Sequence, residues 1–138
     1  MAASLLVIID VDDLAKAEAF YTSVFGLKPV RRYGDGGVEL VGGGAPLFLL
    51  VKPAGSRALK LGQQTRSYAR HWTPVHLDFV VDDIKSAVAK AQAAGATLEG
   101  EIETDNWGHI AHMADPFGHG ICIIEFRGRG YDEIATPA

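Results

Sequence analysis

Hydrophobic and polar positions alternate along two stretches of this chain, and each alternation gives way at once to a helical period. From Leu5 to Val11, the residues Leu5, Val7, Ile9 and Val11 fall on one side of a strand, with Leu6, Ile8 and Asp10 on the other. Asp12 and Asp13 follow where a helix cap is needed, and Leu14, Ala17, Tyr21 and Val24 then recur at helical spacing until Gly26 ends the helix. The second stretch repeats the plan. Val75, Leu77, Phe79 and Val81 take one face of a strand beginning at Thr73, while His76, Asp78 and Val80 take the other. Asp82 or Asp83 caps the next segment, Ile84 to Ala94, whose stripe is Ile84, Ala87, Val88 and Ala91. Val11-Asp12-Asp13-Leu14 and Val81-Asp82-Asp83-Ile84 are one junction used twice, which marks an internal duplication. An apolar strand face needs its helix as cover, so Leu77 and Phe79 are expected beneath the second helix, with His76 and Asp78 facing away from it.

Each helix is followed by three strand-like segments: Leu27 to Tyr33, Val38 to Val41 and Pro46 to Val51 in the first half, then Thr97 to Glu103, Trp107 to Ala114 and Gly120 to Arg127 in the second. Asp115-Pro116-Phe117-Gly118 reads as a hairpin turn, because proline presets φ and glycine accepts a left-handed exit. Gly42-Gly43-Gly44 also sits in a turn and precedes a strand, whereas phosphate-binding glycines open a helix. Between the halves, Lys52 to Trp72 holds Arg57, Lys60, Arg66 and Arg70 and no acidic residue; it reads as a solvated linker, with attraction of an anionic ligand as the alternative. The tail from Gly128 is expected to be irregular.

Composition narrows the function. The 138 residues suffice for one domain of ordinary globular make-up. A net charge of −4 speaks against nucleic-acid binding, which needs many cations to neutralise phosphates. The run Leu5 to Ile9 is too short to span a bilayer and has no basic lead of the kind a secretion signal carries, so no membrane partner and a cytoplasmic location are expected. Cys122, the only cysteine, lies in an apolar run and reads as an inert core thiol.

Specific motifs carry a resemblance. Val-Asp-Asp-Leu followed by Ala19-Phe20-Tyr21 and Phe25-Gly26-Leu27, together with Asp115-Pro116-Phe117-Gly118-His119 leading into Ile123-Ile124-Glu125-Phe126, resembles the vicinal-oxygen-chelate superfamily of glyoxalase, bleomycin-resistance and extradiol dioxygenase type. The resemblance implies an α+β fold of two tandem βαβββ modules forming a cupped mixed sheet with helices outside, in a homodimer. The modules would run over about 4–52 and 73–127, joined by a linker over 53–72 and followed by a tail over 128–138. It further implies metal ligands on the first and last strands of each module. Here those positions are His76 and Glu125 in the second module and Leu6 and Val51 in the first, so half of the site is apolar.

Strand alternation is taken to turn His76 and Glu125 inward along with Leu6, Leu47, Leu49 and Val51. His112 is taken to face the cavity as well, since Ala111 and Met113 suit the covered side. Two readings stay open. In one, no cofactor is bound and the protein holds an apolar or aromatic compound, with His76 and Glu125 as the polar and proton-handling wall and Leu6, Leu49, Val51, Asp78, Trp107, His112 and Tyr131 lining the ligand. In the other, His76, Glu125 and His112 hold a divalent zinc, nickel, manganese or iron ion for lyase, isomerase or dioxygenase chemistry.

Overall fold

The computed structural model describes residues 2–138. The chain divides into two compact units, one ending at Ala69 and the other running Arg70–Ala138. Each contains a mixed sheet and one long helix.

In the first unit, β1 (Val7–Val11) leads into α1 (Leu14–Phe25), and β2 (Lys28–Arg32), β3 (Gly37–Val41) and β4 (Leu47–Val51) follow in the sheet order β1-β4-β3-β2. Asp13 caps α1 by accepting the Lys16 N–H at 3.0 Å. Gly26 ends it at φ 68°, a left-handed conformation that allows its N–H to reach the Thr22 carbonyl. The helix packs on β3 and β4, burying Ala17, Phe20, Tyr21 and Val24 with Val11, Val38, Leu40, Leu47 and Leu49.

Parallel pairing sets β1 beside β4 with Ile9 opposite Leu49 and Val11 opposite Val51. Leu49 and Val51 therefore share the helix-covered face, while Phe48 and Leu50 occupy the other. This corrects the expectation that Leu49 and Val51 line a cavity. Leu6 lies ahead of β1, outside the sheet and exposed. The basic stretch is also more ordered than a linker: Arg57 and Thr65 form a bridge, the Arg66 guanidinium donates to Asp10 Oδ2 at 2.7 Å, and the Tyr68 hydroxyl donates to the Lys52 carbonyl at 2.6 Å.

The second unit repeats the arrangement with β5 (Leu77–Val80), α2 (Ile84–Ala93), β6 (Thr97–Leu98), β7 (Glu103–Asp105), β8 (Gly108–Ala114) and β9 (Gly120–Phe126). The order is β5-β9-β8-β6, with β7 also on β8. The expected strand from Thr97 to Glu103 is thus divided into β6 and β7. β5 starts four residues later than Thr73, and Val75 stands 83% exposed in a bend rather than under the helix. Leu77 and Phe79 do lie on the face shared with Ile121 and Ile123, half-buried, as their pairing in register shows. The tail is less irregular than expected, forming a 3-10 turn over Gly130–Glu133. No helix among the described residues is long and apolar enough to cross a membrane.

Asp83 caps α2 by accepting the Ser86 N–H at 3.0 Å, as Asp13 does for α1. Replacing either with alanine is expected to lower stability by about 1 kcal/mol, whereas the same change at Asp12 or Asp82 should stay within about 0.5 kcal/mol. Urea denaturation of the four variants checks this. Equal losses within each pair would overturn the cap assignment.

Candidate functional site

On β9, the face turned away from α2 is set by two pairings. Asp78 lies beside Cys122 in the parallel ladder, and Cys122 lies opposite His112 in the antiparallel one. Asp78, Cys122 and His112 therefore form one row across three strands. His76, one residue ahead of β5, turns its ring into this row, with Nε2 3.1 Å from Asp78 Oδ1.

Glu125 belongs to the other face. It is paired with His109, whose Nε2 is 3.7 Å from its carboxylate, and it is an odd number of residues from Cys122. This corrects the expectation of a His76–Glu125 wall: the carboxylate that His76 meets is Asp78. The proposed His76, Glu125 and His112 metal set is broken for the same reason. His112 itself stands where alternation put it, between the buried Ala111 and Met113 of the opposite face.

An aromatic side chain that sequence reasoning passed over completes the row. The Trp72 ring lies on Gly120, where a Cβ would come within 2.4 Å of the indole, so only glycine admits it. Its centroid is 5.5 Å from His76 and 6.1 Å from His112, both edge-on. The indole N–H donates to Glu99 Oε1 at 3.1 Å, and Arg70, forked onto both oxygens of the same carboxylate, stands 4.8 Å over the ring. Those Arg70 hydrogen bonds hold the Glu99 carboxyl below its usual range, outweighing the raising effect of burial. The strap Arg70–Trp72 is fixed further by the His71 backbone, whose N–H donates to the Gly118 carbonyl and whose carbonyl accepts from the Gly120 N–H.

Trp107 and Tyr131, both expected to touch ligand, are brought together with Phe126: Tyr131 is 5.0 Å from Trp107 and 4.8 Å from Phe126. The 3-10 turn thus returns the tail to the sheet. Burial first, and then the Asp78 carboxylate, push the Tyr131 hydroxyl above its ordinary range. Cys122 is 2% exposed. Burial, the Asp78 charge and a hydrogen bond to Asp78 push its thiol up to about 12, so it stays protonated near neutrality.

His76, Asp78 and Cys122 are also the one group of His, Cys, Asp and Glu among the described residues that could hold a metal, with ligand atoms within 4.8 Å of one another. The donor set fits a borderline ion such as zinc in number and type, since three protein ligands leave a position open. Binding there would have to displace the Cys122 proton and divide the His76–Asp78 pair.

Each of the two βαβββ-type units sets one helix against one mixed sheet, and the second carries a polar row on its uncovered face. The chain belongs to the glyoxalase-like domain family, whose model matches residues 6–124. Its structure is similar to a glyoxalase/bleomycin resistance protein/dioxygenase family enzyme from Burkholderia phytofirmans, with 21% identity over 91% of this chain and 100% of that one at a TM-score of 0.68. It is similar to lactoylglutathione lyase from Agrobacterium tumefaciens, with 25% identity over 91% and 94% of the two chains at 0.62. The fosfomycin resistance protein FosX from Listeria monocytogenes shares 13% identity over 92% and 95%, at 0.68. A comparison with curated proteins finds no match.

Proposed function

We propose that the protein binds a planar, largely apolar small molecule on the β5-β9-β8 face of its second unit, with its polar group held by His76 and Asp78. The observation that carries this reading is the His76–Asp78 pair, 3.1 Å apart, with the half-exposed Trp72 ring 5.5 Å from that of His76. A few convergent polar groups among aromatic side chains are what a small-molecule site needs. With His76 Nε2 set against the Asp78 carboxylate at 3.1 Å, Nδ1 is the ring atom left for a ligand hydroxyl. Asp78 orients the ring, and the buried, protonated Cys122 donates to Asp78 from below. The solved relatives named for lactoylglutathione and fosfomycin support a small organic ligand in general terms.

The probe is 2-naphthol, titrated by calorimetry and by quenching of tryptophan emission. His76→Ala should weaken it about tenfold or more, the range for losing a hydrogen bond to a polar anchor of this kind. Equal affinity of the variant would sink the reading.

A second reading is favoured by the clustering of His76, Asp78 and Cys122. These three would hold a divalent ion, which would supply Lewis-acid polarisation of a substrate oxygen. Trp72 and His112 would then exclude water and position the substrate. Calorimetric titration of chelator-treated protein with zinc, nickel, manganese and ferrous iron separates the readings. Submicromolar binding at one site per chain, lost in His76→Ala and Cys122→Ser, would replace the first by the second.

A further inference from the structure

The first unit carries an arrangement that the His76 row does not use. Consecutive Arg31 and Arg32 lie on β2, and a register shift between Pro29 and Arg31 leaves Val30 unpaired and sets Arg31 opposite Glu39 and Arg32 opposite Val38. Without that bulge, Arg31 would stand opposite Val38 on the helix-covered face. Bulges of this kind re-aim side chains. Arg32 is spent on the helix side, with both terminal nitrogens donating to Glu18 of α1 at 2.8 Å. Arg31 points to the uncovered face instead.

There its Nε and Nη2 donate to the two carboxylate oxygens of Glu39, at 2.5 and 3.1 Å. Glu39 is buried, so the fork is anchored in the sheet while the guanidinium is mostly exposed. Nη1 has no hydrogen-bond partner among the described residues. Tyr33, two residues on and 48% exposed, lies on the same side, its ring tilted by 35° and 6.1 Å from that of Phe48. Hydrogen bonding to Glu39, followed by the charge of the same carboxylate, raises the Arg31 pKa further above its ordinary range.

We propose that Arg31, Tyr33 and Phe48 form a binding site for a planar aromatic carboxylate on the uncovered face of the first unit. The ligand ring lies against Tyr33 and its carboxylate accepts from Nη1. A guanidinium already fixed by a carboxylate loses little freedom on binding and offers its remaining N–H groups in a set plane. A doubly charged phosphate suits the site less well, because Glu39 stands directly behind the arginine and only one positive charge is present. The inference does not rest on the His76 reading, which concerns other residues in the other unit.

The test uses the full chain and two probes of one shape, 2-naphthoate and 2-naphthamide, titrated by calorimetry. The carboxylate should bind about tenfold or more tighter than the amide, as expected for a charge-assisted hydrogen bond. Arg31→Gln alone leaves a buried Glu39 unpaired and can unfold β2, so the decisive variant is Arg31→Gln with Glu39→Gln, which keeps an amide pair in the sheet. In that variant, shown by circular dichroism to be folded, the two probes should bind equally. Equal binding of both probes to the unaltered protein, or a carboxylate preference that survives in the double variant, would overturn the proposal.

Discussion

Native protein treated with a thiol-modifying reagent at about pH 8 should label Cys122 roughly a thousandfold more slowly than the unfolded chain does. The reagent reacts with thiolate. With the thiol raised from an ordinary 9.0 to about 12, the folded protein carries thiolate in only ~1 part in 10,000 at that pH, against ~1 part in 10 for the unfolded chain. Burial is the largest cause, followed by the Asp78 charge and the hydrogen bond to it. Asp78→Asn should therefore restore only part of the rate. Because the folded value lies above the unfolded one, the fold gains from the protonated thiol below about pH 9, and this gain fades as pH rises toward 12. Labelling of the native protein within tenfold of the unfolded rate would show that Cys122 is open, and the packing of the row would have to be redrawn.

Phe20→Ala should lower stability by about 3–5 kcal/mol, the range for deleting a buried aromatic ring that its neighbours cannot replace. Phe20 is fully buried and meets two rings edge-on, Tyr21 at 4.9 Å and Phe25 at 5.9 Å, so the cavity would open among rigid side chains. Val80→Ala is the control, since Val80 is more than half exposed and should change little. Denaturant titration reads both. A loss below about 1 kcal/mol for Phe20→Ala would mean that α1 is not seated on its sheet in solution.

The repeated Val-Asp-Asp junction made both helices, both caps and the order of elements legible, because capping and periodicity act within a few residues of one another. The faces of β9 were not. Ile121 to Ile124 is an unbroken apolar run whose members are all buried, so alternation carries no parity there and does not tell which side Glu125 takes. One signal in the sequence does. The tight turn at Asp115–His119 closes β8 onto β9 with Ala114 opposite Gly120, and counting outward from that closure puts Glu125 opposite His109 and Cys122 opposite His112. Trp72 lay beyond such counting: its seat on Gly120 depends on where a non-repetitive strap crosses the sheet, which no local period encodes. Leu49 and Val51 failed for a related reason, since the apolar run from Leu47 to Val51 reads alike on both faces until its pairing with β1 is known.

In both units the first strand pairs in parallel with the last, β1 with β4 and β5 with β9. A parallel partner cannot be reached by a tight hairpin, so each sheet closes only after nearly the whole unit is available. During synthesis, Val7–Val11 emerges early and must wait, apolar and unpaired, until Leu47–Val51 has left the ribosome. The antiparallel ladders β2–β3–β4 and β8–β9 involve shorter loops and are expected to form first, leaving a slot for the first strand of each unit to fill. That order would make the early strand of each half the segment most exposed to mispairing with another nascent chain.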